Sequence, residues 1–301
     1  VITNDPSSLP HHPATEPEVL AEHHYPERAA APIPPNPWVD VLKAFVTWVG
    51  SVVLLLVVPL ILLVPYFVYL AMKGAATAES LLQNKTFILL SIVGVIPAHA
   101  LTLLVAWILV TNWGRVSFWQ TLGFSWPGSV TPWKGIASSF GVAALLLGLG
   151  VLVTSLLGGA KTDLDRLIES SFQARIATVF LAVLTAPLVE EVVYRGMLYP
   201  AFQRLLGMGW AIAIVSLLFA GVHVWQYRTN LGVIVVITIL SITLTIIRAL
   251  TNKLLPSFVI HLIFNGLQSL YLILQPFLEK PKTLDPAPAL IQLWRTSRHL
   301  F

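Results

Sequence analysis

Residues 181–202 read LAVLTAPLVEEVVYRGMLYPAF. Together with the residues just before it, this run reaches the roughly 20 residues that an apolar helix needs to cross a bilayer. It carries no charge as far as Val189, and then Glu190, Glu191 and Arg195 stand inside it. Ionisable groups within an apolar span are costly and are functional candidates by default. Helix neighbours four apart share a face, whereas adjacent residues diverge by about 100°. Glu191 and Arg195 therefore pair, with the acid in the favourable N-terminal position, and Glu190 points elsewhere without a sequence-local cation. Pro187 removes one backbone donor three residues before Glu190 and predicts a kink there. The three charges could also be an ion-pair cluster that only fastens helices together. Two adjacent acids with one base is more charge than that role needs.

The rest of the chain fits a membrane setting. Of its 301 residues, 56% are apolar and 11% charged, and the mean hydropathy is +0.80. Soluble domains carry about 25% charged residues. The composition thus disfavours a soluble enzyme, a nucleic-acid binder and a disordered protein. It predicts an all-α fold, a polytopic membrane helical bundle of about seven transmembrane helices. Apolar runs mark them at about 41–72, 87–110, 136–157, 174–199, 209–225, 230–250 and 254–275. The chain has no cysteine, so thiolate chemistry and disulfides are excluded. The net charge of +4 is read as basic loops beside anionic headgroups, with the lipid bilayer as partner and no nucleic acid.

Outside the spans the sequence changes character. Nine of the 21 prolines fall in residues 1–38, so this segment reads as a flexible extramembrane extension. Its His11-His12 and His23-His24 pairs read as polar linker residues. Trp113, Trp119, Trp126 and Trp133 gather around Arg115 and Lys134 within 112–135, as suits a segment lying in the headgroup region. Residues 276–301 read as an interfacial tail, with a short eighth span at 287–294 left open. The transmembrane domain is then 39–275. Bases are spread too evenly across the two sides to set orientation.

Two further polar elements lie in spans. Phe219-Ala-Gly-Val-His223 places Phe219 and His223 on one helix face, and Gly221 is expected to let a neighbouring helix approach closely. His261-Leu-Ile-Phe-Asn265 presents two hydrogen-bonding groups on one face. Each pair could serve only as interhelical polar glue. His99, alone after Pro97, is read as structural. At about 1.5 Å per residue, Glu190 lies roughly 14–24 Å, His223 about 21 Å and His261 about 10 Å from one membrane face. These depths can overlap if water enters, and three such pairs at compatible depths make a joint accident less credible.

The chemistry open to a carboxylate, two histidines and an asparagine includes activation of water against an amide and stabilisation of the resulting oxyanion. No His-Glu-x-x-His zinc helix is present. The order Glu-Glu-x-x-x-Arg, Phe-x-x-x-His, His-x-x-x-Asn on successive helices resembles the CAAX protease and bacteriocin-processing family, which includes the type II prenyl-protein endopeptidases. The resemblance covers about residues 115–272. It implies an α-helical intramembrane endopeptidase with a peptide or protein substrate. Glu190 would be the water-activating base, His223 its partner, and His261 with Asn265 the oxyanion hole, supported by Glu191, Arg195 and Phe219. The family is often described as metalloproteases, and Glu190, His223 and His261 could ligate zinc. Metal-free activation is favoured, because Asn is a poor zinc ligand and a good oxyanion donor. The bacterial branch, and hence the cytoplasmic membrane, is the expected setting. The alternatives are a non-enzymatic immunity or scaffold protein of the same family, and a proton-coupled transporter that uses Glu190 and the histidines as a relay.

Overall fold

The computed structural model describes residues 36–278. Among the described residues the fold is helical, with no strand. The extension 1–35, its four histidines and the tail from 279 onward, including the 287–294 segment, lie outside the described residues.

Helix α1 (Pro37–Met72) starts where the Asn36 side chain accepts from Trp38 N (3.0 Å) and Pro37 takes the first turn, where no N–H is needed. Short helix α2 (Ala78–Gln83) leads into α3 (Lys85–Val93), capped by Asn84 at Phe87 N (2.9 Å). Helix α4 (Val95–Thr111) follows after Gly94, where a methyl group would lie 3.1 Å from Pro59 Cα. That contact seats the α3–α4 junction against α1.

The aromatic segment forms a short helix, α5 (Phe118–Leu122). Trp113 and Trp133 stay exposed, as an interfacial segment requires, but Leu122 is buried and the Phe124 ring packs tilted against that of Phe258, with centroids 5.4 Å apart. Leu254 N also donates to Gly123 O at 2.9 Å. One edge of the segment is thus part of the bundle.

Helix α6 (Pro132–Leu157) begins at Pro132 and ends at Gly158, whose φ of +63° favours glycine. Helix α7 (Asp163–Glu169) carries a capping box between Thr162 and Asp165. Then come α8 (Phe172–Leu206), α9 (Met208–Tyr227), α10 (Leu231–Thr251) and α11 (Leu254–Leu278).

Among the described residues, seven helical segments are long and apolar enough to cross a membrane: Pro37–Met72, Lys85–Thr111, Pro132–Leu157, Phe172–Leu206, Met208–Tyr227, Leu231–Thr251 and Leu254–Leu274. The predicted spans coincide with these, and the chain is an integral, multi-pass membrane protein. Its outer surface is apolar, with Leu56, Leu60, Leu145 and Leu217 each more than 60% exposed. Such a surface suits lipid tails and would aggregate in water.

The centre is built around α8. Val189, Val192, Val193, Leu198 and Tyr199 are buried against Ala44 of α1, Ala106 of α4, Phe219 of α9 and Leu254 of α11. Since lipid tails are as apolar as leucine, helix association in a membrane rests on close packing and polar contacts. Those polar contacts converge on the middle of α8.

Candidate active site

Helix α8 is not uniform. Its first part, Phe172–Phe180, is α-helical and capped by Ser171 at Ala174 N (3.1 Å). Residues Leu181–Thr185 widen into π turns, Ala186–Glu190 return to α, Glu191–Leu198 widen again, and Tyr199–Leu206 close as α. Wide turns are rare and occur often at functional sites. Glu190 and Glu191 sit on the boundary between the two kinds of turn.

The two acids have opposite surroundings. The Glu191 side chain is 1% exposed, and its Oε1 accepts from Arg195 Nη1 at 3.0 Å, so the pairing expected from the spacing is present. Arg195 is fully buried. Its remaining donors reach α10: Nη2 to Ser241 Oγ (2.8 Å) and O (3.1 Å), and Nε to Thr245 Oγ1 (3.3 Å). The guanidinium also lies over the Phe219 ring, 4.7 Å from its centroid, a cation–π contact in a dry setting. The same Glu191 Oε1 meets His261 Nδ1 at 3.1 Å. That bond joins α8 to α11.

Glu190, by contrast, is 23% exposed at its side chain. Its Oε2 lies 3.6 Å from His261 Nε2, and its Oε1 lies 4.0 Å from His223 Nε2. Both distances exceed a hydrogen bond, so Glu190 makes no direct bond to either ring. The tautomers follow from the other ring nitrogens. His223 Nδ1 meets the carbonyl of Phe219 at 2.7 Å. A carbonyl only accepts, so Nδ1 carries the proton and Nε2 of the neutral ring is a lone pair facing Glu190. His261 Nδ1 faces a carboxylate and is protonated by the same reasoning. Phe219, buried beneath, has its ring centroid 4.8 Å from that of His223 and 6.2 Å from that of His261.

The residues expected to converge from three helices thus do so: Glu190, His223 and His261 meet, with Glu191, Arg195 and Phe219 behind them. Asn265 is also drawn to α8, where its Nδ2 donates to Ala182 O at 2.9 Å. Helix carbonyls point toward the C-terminus, so this bond sits near the level of Pro187, about one turn before Glu190. Half of the Asn265 amide's donor capacity is spent there.

Two features were not foreseen. His99, read as structural, hydrogen-bonds through Nδ1 with Thr185 Oγ1 (2.9 Å) and lies within electrostatic reach of Glu190. The Glu191–His261 bond was missed because spacing reports only partners on one helix. Gly221 corrects an expectation: it is exposed, and no atom lies within 4 Å of where its Cβ would be. It faces outward, so no helix uses the room it leaves.

A metal would draw on Glu190, His223 and His261, because each histidine has its Nδ1 engaged by another group and turns its Nε2 toward Glu190, the pattern of a supported ligand. Among the described residues, however, no three His, Asp or Glu side chains are grouped so as to hold an ion. No step below is routed through a metal.

The model of the family described as "Type II CAAX prenyl endopeptidase Rce1-like" matches residues 172–267. The match begins at the first residue of α8 and ends two residues past Asn265, so it holds every candidate residue and supports the resemblance carried by the three motifs. No curated protein and no solved structure matches the chain.

Proposed function

We propose that this membrane protein, whose α8–α11 segment matches a family of membrane endopeptidases, hydrolyses peptide bonds within the membrane by metal-free activation of water at Glu190. One observation carries the reading. The Glu190 carboxylate faces Nε2 of His223 at 4.0 Å and Nε2 of His261 at 3.6 Å with a direct bond to neither, which leaves these polar groups open to a small polar molecule such as water.

In the proposed reaction a water donates one hydrogen bond to Glu190 and the other to His223 Nε2. Its own lone pair is then aimed at the substrate carbonyl carbon. Glu190 takes the proton as the C–O bond forms, and the carbonyl π electrons move onto the oxygen. The oxyanion is met by the second N–H of Asn265 and by His261 with a proton on Nε2, positioned by its Nδ1 bond to Glu191. Collapse of the tetrahedral intermediate breaks the C–N bond, and Glu190 returns its proton to the leaving amine. The substrate is a peptide segment reaching the site from the membrane or its surface. The bacterial cytoplasmic membrane is the compartment that belongs to this proposal.

The test uses protein purified in detergent with quenched peptides of varied sequence, and metal content measured on the same sample. Wild type should cleave some of them with no stoichiometric metal, and Glu190→Gln should lower kcat by about 10²–10⁴. A Glu190→Gln protein with wild-type turnover would sink the mechanism. A wild type that cleaves nothing, but moves protons in vesicles, would favour the transporter instead.

A further inference from the structure

A second buried cation near the site has no part in the mechanism above. Arg248 of α10 is 6% exposed. Its Nη1 donates to Asn252 Oδ1 at 3.0 Å, and its Nε donates to the backbone carbonyl of Arg195 at 3.1 Å. A helix carbonyl is normally occupied by the chain's own N–H, and the wide turns explain why this one is open.

At the end of the second wide segment, Tyr199 N–H bonds Tyr194 O, five residues back. The same pattern one residue later would bring the N–H of position 200 to Arg195 O. That position is Pro200, which has no N–H. Tyr199, the donor that an α turn would use, is already committed. The carbonyl of Arg195 is therefore orphaned within α8, and a buried orphan carbonyl is costly.

The first wide segment repeats the arrangement. Ala186 N–H bonds Leu181 O, five residues back, and the next residue is Pro187. Ala182 O is orphaned in the same way, and there the Asn265 amide supplies the missing donor. Each wide segment thus ends in a proline that opens one carbonyl, and each opened carbonyl is filled by a side chain from another helix. The two plugs come from α10 and α11 and lie on either side of Glu190–Glu191.

We propose that Arg248 is a positioning residue of the active site, plugging the Arg195 carbonyl that Pro200 leaves open and so holding Glu191–Leu198 in its wide turn. Without the plug, the segment gains by tightening toward α geometry, in which a different N–H covers the carbonyl. Tightening rotates Arg195 away from Ser241, Thr245 and Glu191. Glu191 then loses its fixed place under His261, and the histidine facing Glu190 loses its anchor. The inference rests on the endopeptidase reading for its kinetic consequence, but not for the hydrogen bond itself.

The test restores the missing donor by another route. Pro200→Ala gives position 200 an N–H that can reach the Arg195 carbonyl. Arg248→Met should lower kcat by about 10²-fold, the loss expected of a site displaced by about 1 Å, with KM little changed, and adding Pro200→Ala should recover about tenfold or more. Pro200→Ala alone should leave activity near wild type. The same four proteins are compared by thermal unfolding in detergent, which needs no substrate. Arg248→Met should lower Tm, and the double variant should regain part of it. If Arg248→Met cannot be purified folded, the double variant should be obtainable, and failure of that rescue overturns the proposal. Equal losses with and without Pro200→Ala overturn it as well. Coupling in Tm with kcat untouched makes Arg248 a packing element and overturns its positioning role. If the wild type cleaves no peptide, the endopeptidase reading fails by itself, while the Tm comparison still decides whether positions 200 and 248 share the carbonyl.

Discussion

Glu190 and Glu191 are neighbours in sequence and differ in every physical respect. Around Glu191 the protein is closed: a fully buried arginine, a buried histidine and two hydroxyl residues of α10 absorb one charge and bind three helices. Around Glu190 it is open: a partly exposed carboxylate faces two imidazole nitrogens with no direct bond to either. Closed clusters hold geometry, and open ones accept another molecule. In the proposed reaction Glu191 accordingly belongs to the architecture and Glu190 to the chemistry.

The comparison can be broken most severely at Glu190. Its replacement by Gln should cost about 10²–10⁴ in kcat while leaving Tm close to wild type. A large fall in Tm would mean that Glu190 also belongs to the closed cluster. Glu191→Ala and Arg195→Ala should show the reverse emphasis. Each strands a buried charge and should cost about 3–5 kcal/mol of stability. The double variant should recover part of the loss in a double-mutant cycle, and strictly additive losses would show that the pair is not coupled.

Asn265 stands between the two regions, since one N–H serves Ala182 and the other is assigned to the oxyanion. Asn265→Ala should lower kcat by about 10²–10³ with little change in KM, and should also lower Tm. Adding Pro187→Ala, which returns an N–H to the Ala182 carbonyl, should repair Tm but not kcat. Repair of both would make Asn265 a plug alone. The smallest effect concerns glycines. Gly221→Ala faces outward and should be neutral or stabilising by up to about 1 kcal/mol, as for any helix-interior glycine. Gly196→Ala places a methyl group 3.1 Å from Leu122 Cδ2 and should destabilise by about 1–3 kcal/mol. Thermal unfolding of the two variants side by side checks the pair.

Much of this was legible in the sequence, and the reasons differ by residue. The seven spans follow from apolar length alone. The Glu191–Arg195 pair follows from a four-residue spacing, and the meeting of Glu190, His223 and His261 from the order of the three motifs, since depths of about 21 Å and 10 Å for the two histidines only allowed it. What lay beyond reach depends on turns that are not α-helical. Arg248 reads as an ordinary base near a span end, because nothing in its own neighbourhood signals an open carbonyl on another helix. The signal was present at a distance, in Pro187 and Pro200, each of which removes a donor that a wide turn would have used. Ser241 and Thr245 were silent because hydroxyl residues are common in spans, and their bonds to Arg195 require knowing which face α10 turns inward. Gly221 misled because a small residue permits a close approach without causing one.

The wide turns also make the number of residues in α8 part of the site. A π turn holds more residues than the α turn it replaces. Deleting one residue within 181–185 would let that stretch close into regular α-helix at small local cost, and because the wide turn held the extra residue, everything after it would keep nearly its present phase about the helix axis. Glu190 would still face the histidines, whereas the open carbonyl that Asn265 fills would be lost with the wide turn. Deleting one residue within Ala186–Glu190, where the turns are already α, would instead swing the following residues by about 100°. The wide turn is thus the place in α8 where a change of chain length is absorbed before it reaches the paired acids.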